Sequence, residues 1–249
     1  VSTIGTVSHV ASEPVAESPN HVLSPKLGGY SASKLICELI IEEHVKSTAG
    51  QRAAICRVGQ IAGPVRRSPE SGAWNRQEWL PSVIASSKHM GLLPSSLGSM
   101  DLVNWVPVDL LSEIILELSG VVQAEQPELK QSSSVGIYHA VNPHAVRWAE
   151  LVPTVAGVIG LKPGDAVPWN QWVDALKLSG QESADPEKNP GLKLVDFYES
   201  LGGRKQKGGE MAMMPVVATE VSAAKSKTLA ALHPVGTDWM ALWVRQLGF

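Results

Sequence analysis

The spacing of apolar and polar positions divides the chain into elements. The opening run, VSTIGTV, is β-branched and predicts the end of a strand. SHVASEPVAESPNHVLSPKLGG follows, rich in Ser, Pro and Gly. It predicts a long loop, a feature that in a compact domain is usually functional or mobile. A helix is predicted from Pro25 or Tyr30 to Thr48, because Leu35, Ile36, Leu39, Ile40 and Val45 recur at the helical period. The apolar face is broad enough for a well-buried helix. Ala53–Val58 then reads as a buried strand ending in the loop GQIAGP. Strand, helix and strand with short joints make the unit of a parallel sheet.

After Pro64 the character changes. Turn residues mix with a short helix near 77–89, and VNWVPVD reads as a short strand. Asp109 is placed to cap the helix LLSEIILELSG. A polar linker, QAEQPELKQSSS, leads to the strand GIYHAV. Further helices are predicted over 147–159, 171–178, 193–201 and 220–232, with an amphipathic end, TDWMALWVRQLGF. The fold expected is α/β. Residues 1–64 form the C-terminal part of a Rossmann-type parallel sheet, and 65–249 form a smaller, mostly helical substrate-binding region. Ligands of such sheets bind beyond the carboxyl ends of the strands, where the loops after Thr3 and Val58 lie.

Bulk properties narrow the possibilities. A chain of 249 residues with 44% hydrophobic and 18% charged residues is ordinary for a globular protein. A net charge of −3 argues against nucleic acid or an anionic membrane as partner. The one dense basic spot, Arg204 to Lys207, reads as a solvated loop between glycines. Cys37 and Cys56 each sit in an apolar run, which predicts buried thiols in a reducing, cytoplasmic setting. The seven His residues are scattered without metal-ligand spacing. No apolar run approaches the roughly 20 residues of a membrane span. The start lacks both Met and the basic segment of a signal peptide, and reads as if cut from a longer chain.

The candidate chemistry lies in GGYSASK. Tyr30 and Lys34 are four apart and share one helix face. A phenol delivers a proton poorly at neutral pH unless its anion is stabilised, and an ammonium one turn away does that. With a Thr3 hydroxyl to hold a substrate oxygen, the set is a general acid for a carbonyl receiving hydride. Other residues have blander readings. His139 and Arg57 read as structural strand residues. Trp74 and Trp79 either line an acyl channel or plug the core.

The order STIGT, then YSASK, then CRVGQIAGP resembles the extended short-chain dehydrogenase/reductases. WNRQEWLPS, GLLPSSLG, NWVPVD, IYHAVNP and NPGLKLVDFY bring it closest to the thioester reductase domains of nonribosomal peptide synthetases and carboxylic acid reductases. The resemblance implies a Thr3–Tyr30–Lys34 triad. Tyr30 would protonate the carbonyl or thiohemiacetal oxygen, and Lys34 would hold the nicotinamide ribose. Gly59, Gln60 and Ile61 match the loop against the nicotinamide. The implied cofactor is NADPH, and the implied partner is a phosphopantetheinyl acyl-carrier domain. The implied product is an aldehyde, or an alcohol after a second reduction.

One departure is large. The glycine fingerprint that cradles the pyrophosphate should precede Thr3 and is not in the sequence. Gly157, Gly160 and Gly164 imitate it, but follow a helix and read as a C-cap and turn. The chain therefore reads as lacking the N-terminal half of its reductase domain, with an exposed sheet edge that invites pairing with that half or self-association. On its own it is expected to be inactive. Two other readings stay open, a non-catalytic docking fragment and an epimerase- or dehydratase-like member of the same superfamily.

Overall fold

The computed structural model describes residues 1–11, 13–66, 72–120, 134–182, 185, 187–203 and 215–248. Arg204–Lys207 and most of the 123–134 linker lie outside them. In chain order the elements begin with β1 (Ser2–Thr3), α1 (Gly29–Ser47), β2 (Arg52–Val58), β3 (Ile61–Ala62), α2 (Trp79–Met90), β4 (Leu93–Pro94), β5 (Leu102–Val103), β6 (Val106–Pro107) and α3 (Val108–Ser119). They continue with β7 (Ser134–Ala140), β8 (Val146–Arg147), α4 (Trp148–Ile159), β9 (Ala166–Val167), α5 (Trp169–Glu182), α6 (Val195–Leu201), α7 (Glu220–Lys225), α8 (Lys227–Ala230) and α9 (Thr237–Gln246).

The chain divides into two compact units, each drawn from three segments. The first takes Val1–Ile61, Asn104–His144 and Ala212–His233; the second takes Ala62–Val103, Ala145–Met211 and Pro234–Phe249. The expected division at residue 64 coincides with only one of these crossings. The strand GIYHAV, expected in the helical region, is the third strand of the sheet. Strand pairing joins residues far apart in sequence, and the local pattern of a strand does not name its neighbour.

In the first unit, β1, β2 and β7 form a parallel sheet in that order. Burial of β2 and β7 deepens toward their carboxyl ends, as expected of a parallel sheet covered on both faces. Arg57 and His139 are direct partners across the β2–β7 pair and share one face, the face that meets α1 through Glu38. Tyr138 therefore points to the opposite face, where its hydroxyl accepts a hydrogen bond from Lys225 of α7 at 2.6 Å. Ile4, Val7, Val15 and Val141 form a buried apolar cluster by the β1 end.

Several expected elements take different bounds. VSTIGTV is strand only at Ser2–Thr3; Ile4–Val7 turns into a 3-10 helix with Thr3 as its cap. VNWVPVD gives two short strands, because Asn104 and Trp105 separate them. Asp109 is not the N-cap of α3. That place falls to Pro107, and Asp109 sits in the first turn, where its carboxylate accepts from the Leu110 N–H and still meets the positive end of the helix. The 220–232 helix is two pieces, since the Ser226 side chain caps a new start by accepting from Leu229 N–H at 2.9 Å.

α1 is the larger correction. It buries Leu35, Glu38 and Val45, while Ile36, Ile40 and Ile41 are 44%, 62% and 40% exposed. Cys37, expected to be buried, is exposed on this helix, and Cys56 is buried as expected. An apolar residue at helical spacing is compatible with two faces, and the period does not say which one finds a partner.

The second unit is built on aromatic rings. Trp169 and Trp172 stack at 5.4 Å, and Tyr198 meets both edge-on at 5.8 and 5.4 Å. The polar atoms of these rings are satisfied: Trp172 Nε1 donates to Ser87 Oγ, Trp169 Nε1 to the Tyr198 carbonyl, and Tyr198 Oη to the Trp79 carbonyl. Burial pushes the Tyr198 phenol above its ordinary range, so it stays a neutral donor. Trp74 is buried with its ring 5.3 Å from Trp243, which makes it a core plug. Trp79 is half-buried against Phe197. Gly160 ends α4 in the left-handed conformation at φ 83°, so Gly157–Gly164 is a helix C-cap and turn, as the sequence implied.

Candidate active site

Every candidate residue belongs to the first unit. Thr3 ends β1 opposite Val58, and Val58 is opposite Ala140 on β7. The carboxyl edge of the sheet therefore carries Thr3 and, one residue past Val58, the loop Gly59–Ile61. Gly59 N–H donates to the Ala140 carbonyl at 3.2 Å, and a Cβ there would come within 3.0 Å of Val141 Cγ2. The backbone approaches β7 too closely for an ordinary side chain to enter without displacing Val141. The Gln60 carbonyl accepts from Val106 N–H at 3.0 Å, and Gln60 Nε2 donates to the Ile61 carbonyl at 2.7 Å. Ile61 is 38% exposed at this edge.

Thr3 Oγ1 accepts from the Gly5 N–H at 3.2 Å. A hydroxyl has one proton to give, so this bond leaves the Thr3 O–H as a donor. Gly5 lies against α1: a Cβ there would collide with Ser31 Oγ. The absence of a side chain at Gly5 thus lets the turn after Thr3 touch the first turn of the helix that carries Tyr30.

α1 opens at Gly28, whose carbonyl accepts from Ala32 N–H at 2.9 Å. Positions Gly28 and Gly29 face open space. Tyr30 is 66% exposed, and Lys34 Nζ lies 5.8 Å from the centre of its ring, within cation–π reach.

The residue that sequence reasoning missed, Glu38, lies one turn deeper and meets Arg57. Glu38 is 5% exposed and Arg57 is fully buried. Arg57 Nη2 donates to Glu38 Oε2 at 2.8 Å, and its Nε reaches both carboxylate oxygens at 3.2 Å. Ser2 Oγ donates to Glu38 Oε1 at 2.5 Å, and Thr6 Oγ1 is 3.2 Å from the same oxygen. Arg57 Nη1 donates to the Ser18 carbonyl at 3.0 Å and approaches His139 Nε2 at 3.4 Å. His139 Nδ1 lies 2.8 Å from the Ala218 carbonyl, which places the proton on Nδ1 and leaves Nε2 to accept from Arg57. Burial, followed by the Arg57 charge, holds the imidazole below its ordinary range against the opposing effect of the Ala218 bond. His139 and Arg57 are therefore satisfied structural groups. One signal was visible in the sequence: Arg57 in the apolar run AAICRV requires a buried anion.

Among the described residues, no cluster of His, Cys, Asp or Glu could hold a metal, and no helix is long and apolar enough to cross a membrane.

Comparison with known proteins agrees with the motifs. Residues 8–115 match the Male sterility protein family model. The carboxylic acid reductase of Neurospora crassa is 37% identical over all of this chain, which spans 23% of that protein's length. The terminal R domain from the myxalamid PKS-NRPS biosynthetic pathway shares the fold at a TM-score of 0.70 and 23% identity, covering 99% of this chain and 56% of that one. A thiolation-reductase di-domain from an archaeal nonribosomal peptide synthetase gives a TM-score of 0.61 at 14% identity, covering 99% and 48%.

Proposed function

We propose that this chain, whose relatives are carboxylic acid reductases and the terminal reductase domains of peptide and polyketide synthetases, is part of a reductase of the same kind. It would take a carrier-bound acyl thioester to the aldehyde, or to the alcohol after a second round, with NADPH as reductant. The observation that supports the reading is that Thr3 and the Gly59–Ile61 loop lie at the carboxyl edge of a parallel sheet, with the turn after Thr3 against Ser31 in the first turn of the helix that carries the Tyr30–Lys34 pair.

The donor set at this edge suits the nicotinamide end of the cofactor. A phenol, an ammonium and an aliphatic hydroxyl match ribose hydroxyls and a carbonyl oxygen, and the exposed Ile61 offers an apolar contact to a ring face. The glycine cradle for the pyrophosphate is not in this sequence, so the fit extends to one end only. When bound, NADPH supplies the hydride. Thr3 would hold the substrate oxygen through its O–H, and Tyr30 would give that oxygen its proton to form the thiohemiacetal; collapse to the aldehyde breaks the C–S bond, and the hydroxyl proton leaves with the released carrier thiol. Lys34 would stabilise the phenolate left behind and would hold the ribose. Gln60 and Ile61 shape the floor of the site.

The test is product analysis on the full protein that contains this chain. With NADPH and an acyl thioester loaded on its carrier domain, NADPH consumed should equal reducing equivalents found in aldehyde plus alcohol. No NADPH consumption with a loaded carrier would overturn the reading. The 249-residue chain alone should show no change in the fluorescence of its eight Trp residues on titration with NADPH. Measurable hydride transfer by that chain would refute the one-ended fit.

A further inference from the structure

We propose that Glu38 and Arg57 are positioning residues for the reducing site, holding the strand end of Thr3, the helix of Tyr30 and Lys34, and the Gly59–Ile61 loop in one fixed arrangement. The proposal rests on the reading of Thr3, Tyr30 and Lys34 as the reducing residues.

Tyr30, Lys34 and Glu38 are spaced by four, so they share one stripe of α1. Glu38 is where the other elements meet that stripe. Ser2, bonded to its Oε1, is the residue before Thr3. Thr6, beside the same oxygen, also donates to the Thr3 carbonyl at 2.9 Å. Arg57, bonded to both oxygens, is two residues before Gly59. Ser2 and Arg57 are themselves direct partners in the β1–β2 pair. One carboxylate thus ties α1, one turn beyond Lys34, to the residue before Thr3 and to the residue two before Gly59.

Packing alone would hold this geometry poorly. The inward face of α1 offers Leu35 and Val45, while Ile36, Ile40 and Ile41 remain exposed. An apolar contact of that size lets a helix slide or roll with little penalty. A carboxylate bonded to a guanidinium fork and to the Ser2 hydroxyl fixes both the rotation and the axial position of the helix. A buried ion pair is a weak device for bulk stability, and its best-attested use is registry. Its place between Thr3, Tyr30 and Gly59 accords with that use. A displacement of about 1 Å at a reacting group can lower a rate by about 100-fold.

The experiment compares Glu38→Gln, Thr6→Val, Thr6→Ser and Tyr30→Phe in the full protein, with kcat expressed per folded molecule. Glu38→Gln should lower kcat roughly 10- to 100-fold while KM for NADPH and for the thioester stays within about three-fold. Because Glu38→Gln leaves Arg57 buried without its anion and can fail to fold, the Thr6 pair provides the gentler test. Thr6→Val keeps the shape and loses the hydroxyl; it should lower kcat several-fold at unchanged KM, and Thr6→Ser should restore it. Wild-type kcat in Thr6→Val and in folded Glu38→Gln, or losses that match only the unfolded fraction, would overturn the proposal. If those two variants keep full kcat while Tyr30→Phe is inactive, only the positioning role fails. If Tyr30→Phe is also fully active, the reducing site itself has been misassigned and the positioning role falls with it.

Discussion

The two units of the chain solve the same problem with different chemistry. In the second, the large fully buried side chains include Trp148, Trp172, Trp243 and Tyr198; Trp172 and Tyr198 interlock with Trp169, and Trp243 packs on Trp74. In the first, the buried interior includes Arg57, Glu38 and His139 as well as apolar residues, and among the described residues it holds every buried charged side chain. Ring interlock gives large contact area with little directional demand beyond satisfying an N–H or O–H. A charged network gives less net stability but fixes distances and angles. The difference accords with the division of labour: the unit that carries the candidate chemistry spends stability on direction, and its partner does not need to.

The sharpest break between the units is expected at Tyr30. Tyr30→Phe should reduce kcat of the full protein by about 100- to 10,000-fold, the range for loss of a general acid. Stability should move by no more than about 0.5 kcal/mol, since the side chain is 66% exposed. Denaturant titration beside the rate assay checks both halves, and a large loss of stability would contradict the comparison. The opposite signature is expected at Trp172, which is fully buried. Trp172→Ala should destabilise by about 3–5 kcal/mol through loss of transfer energy and a cavity left among Trp169, Tyr198 and Ser87. A loss under about 1 kcal/mol would mean the aromatic cluster does not carry the second unit.

Much of the first unit was legible in the sequence, for physical reasons. The Tyr30–Lys34 spacing fixes a shared helix face whatever surrounds it. Ala53–Val58 shows its strand through β-branched and small apolar residues, with Arg57 the one charged residue among them. The limits of legibility are equally specific. Glu38 stands in LICELII as one polar residue in a helix with acidic neighbours on its outer face, and only the fold reveals that Arg57 and Ser2 meet it. Ile36 and Ile40 obey the same period as Leu35, yet face outward. The three-segment make-up of each unit depends on pairings such as that of Val58 with Ala140, which no local pattern encodes.

A smaller effect probes the polar network of the first unit through pH. His139 is held below its ordinary range chiefly by burial, with Arg57 adding to the effect and Glu17 and Glu38 opposing it. Its folded form binds a proton less readily than the unfolded chain, so stability is full above the ordinary imidazole value of 6.5 and falls as pH drops below it. The added slope is at most about 1.4 kcal/mol per pH unit for one proton. Denaturant midpoints should therefore decline between pH 7 and the folded imidazole's range, and His139→Gln should flatten that decline. A matching mutation in the second unit's cluster, such as Trp172→Phe, should leave the slope unchanged. Equal slopes in wild type and His139→Gln would remove His139 from the account.

The smallest expected effect is at Ile40, and it separates exposure from hydrophobicity most directly. An isoleucine at helical spacing reads as core, and a truncation in a core would destabilise by about 2–5 kcal/mol. Ile40 is 62% exposed, so little apolar area is lost from packing when it is shortened. In the 249-residue chain, Ile40→Ser should change unfolding free energy by about 0.5 kcal/mol or less, most of it from the lower helix propensity of Ser. Leu35→Ser, five residues away on the same helix and fully buried, should destabilise several times more. The pair tests whether α1 is held by one narrow face and the Glu38 network, or by its whole apolar surface. Equal losses at the two positions would mean the outward face is packed in solution. The contrast between a directionally held first unit and an area-held second unit would then fail at the helix on which it chiefly depends.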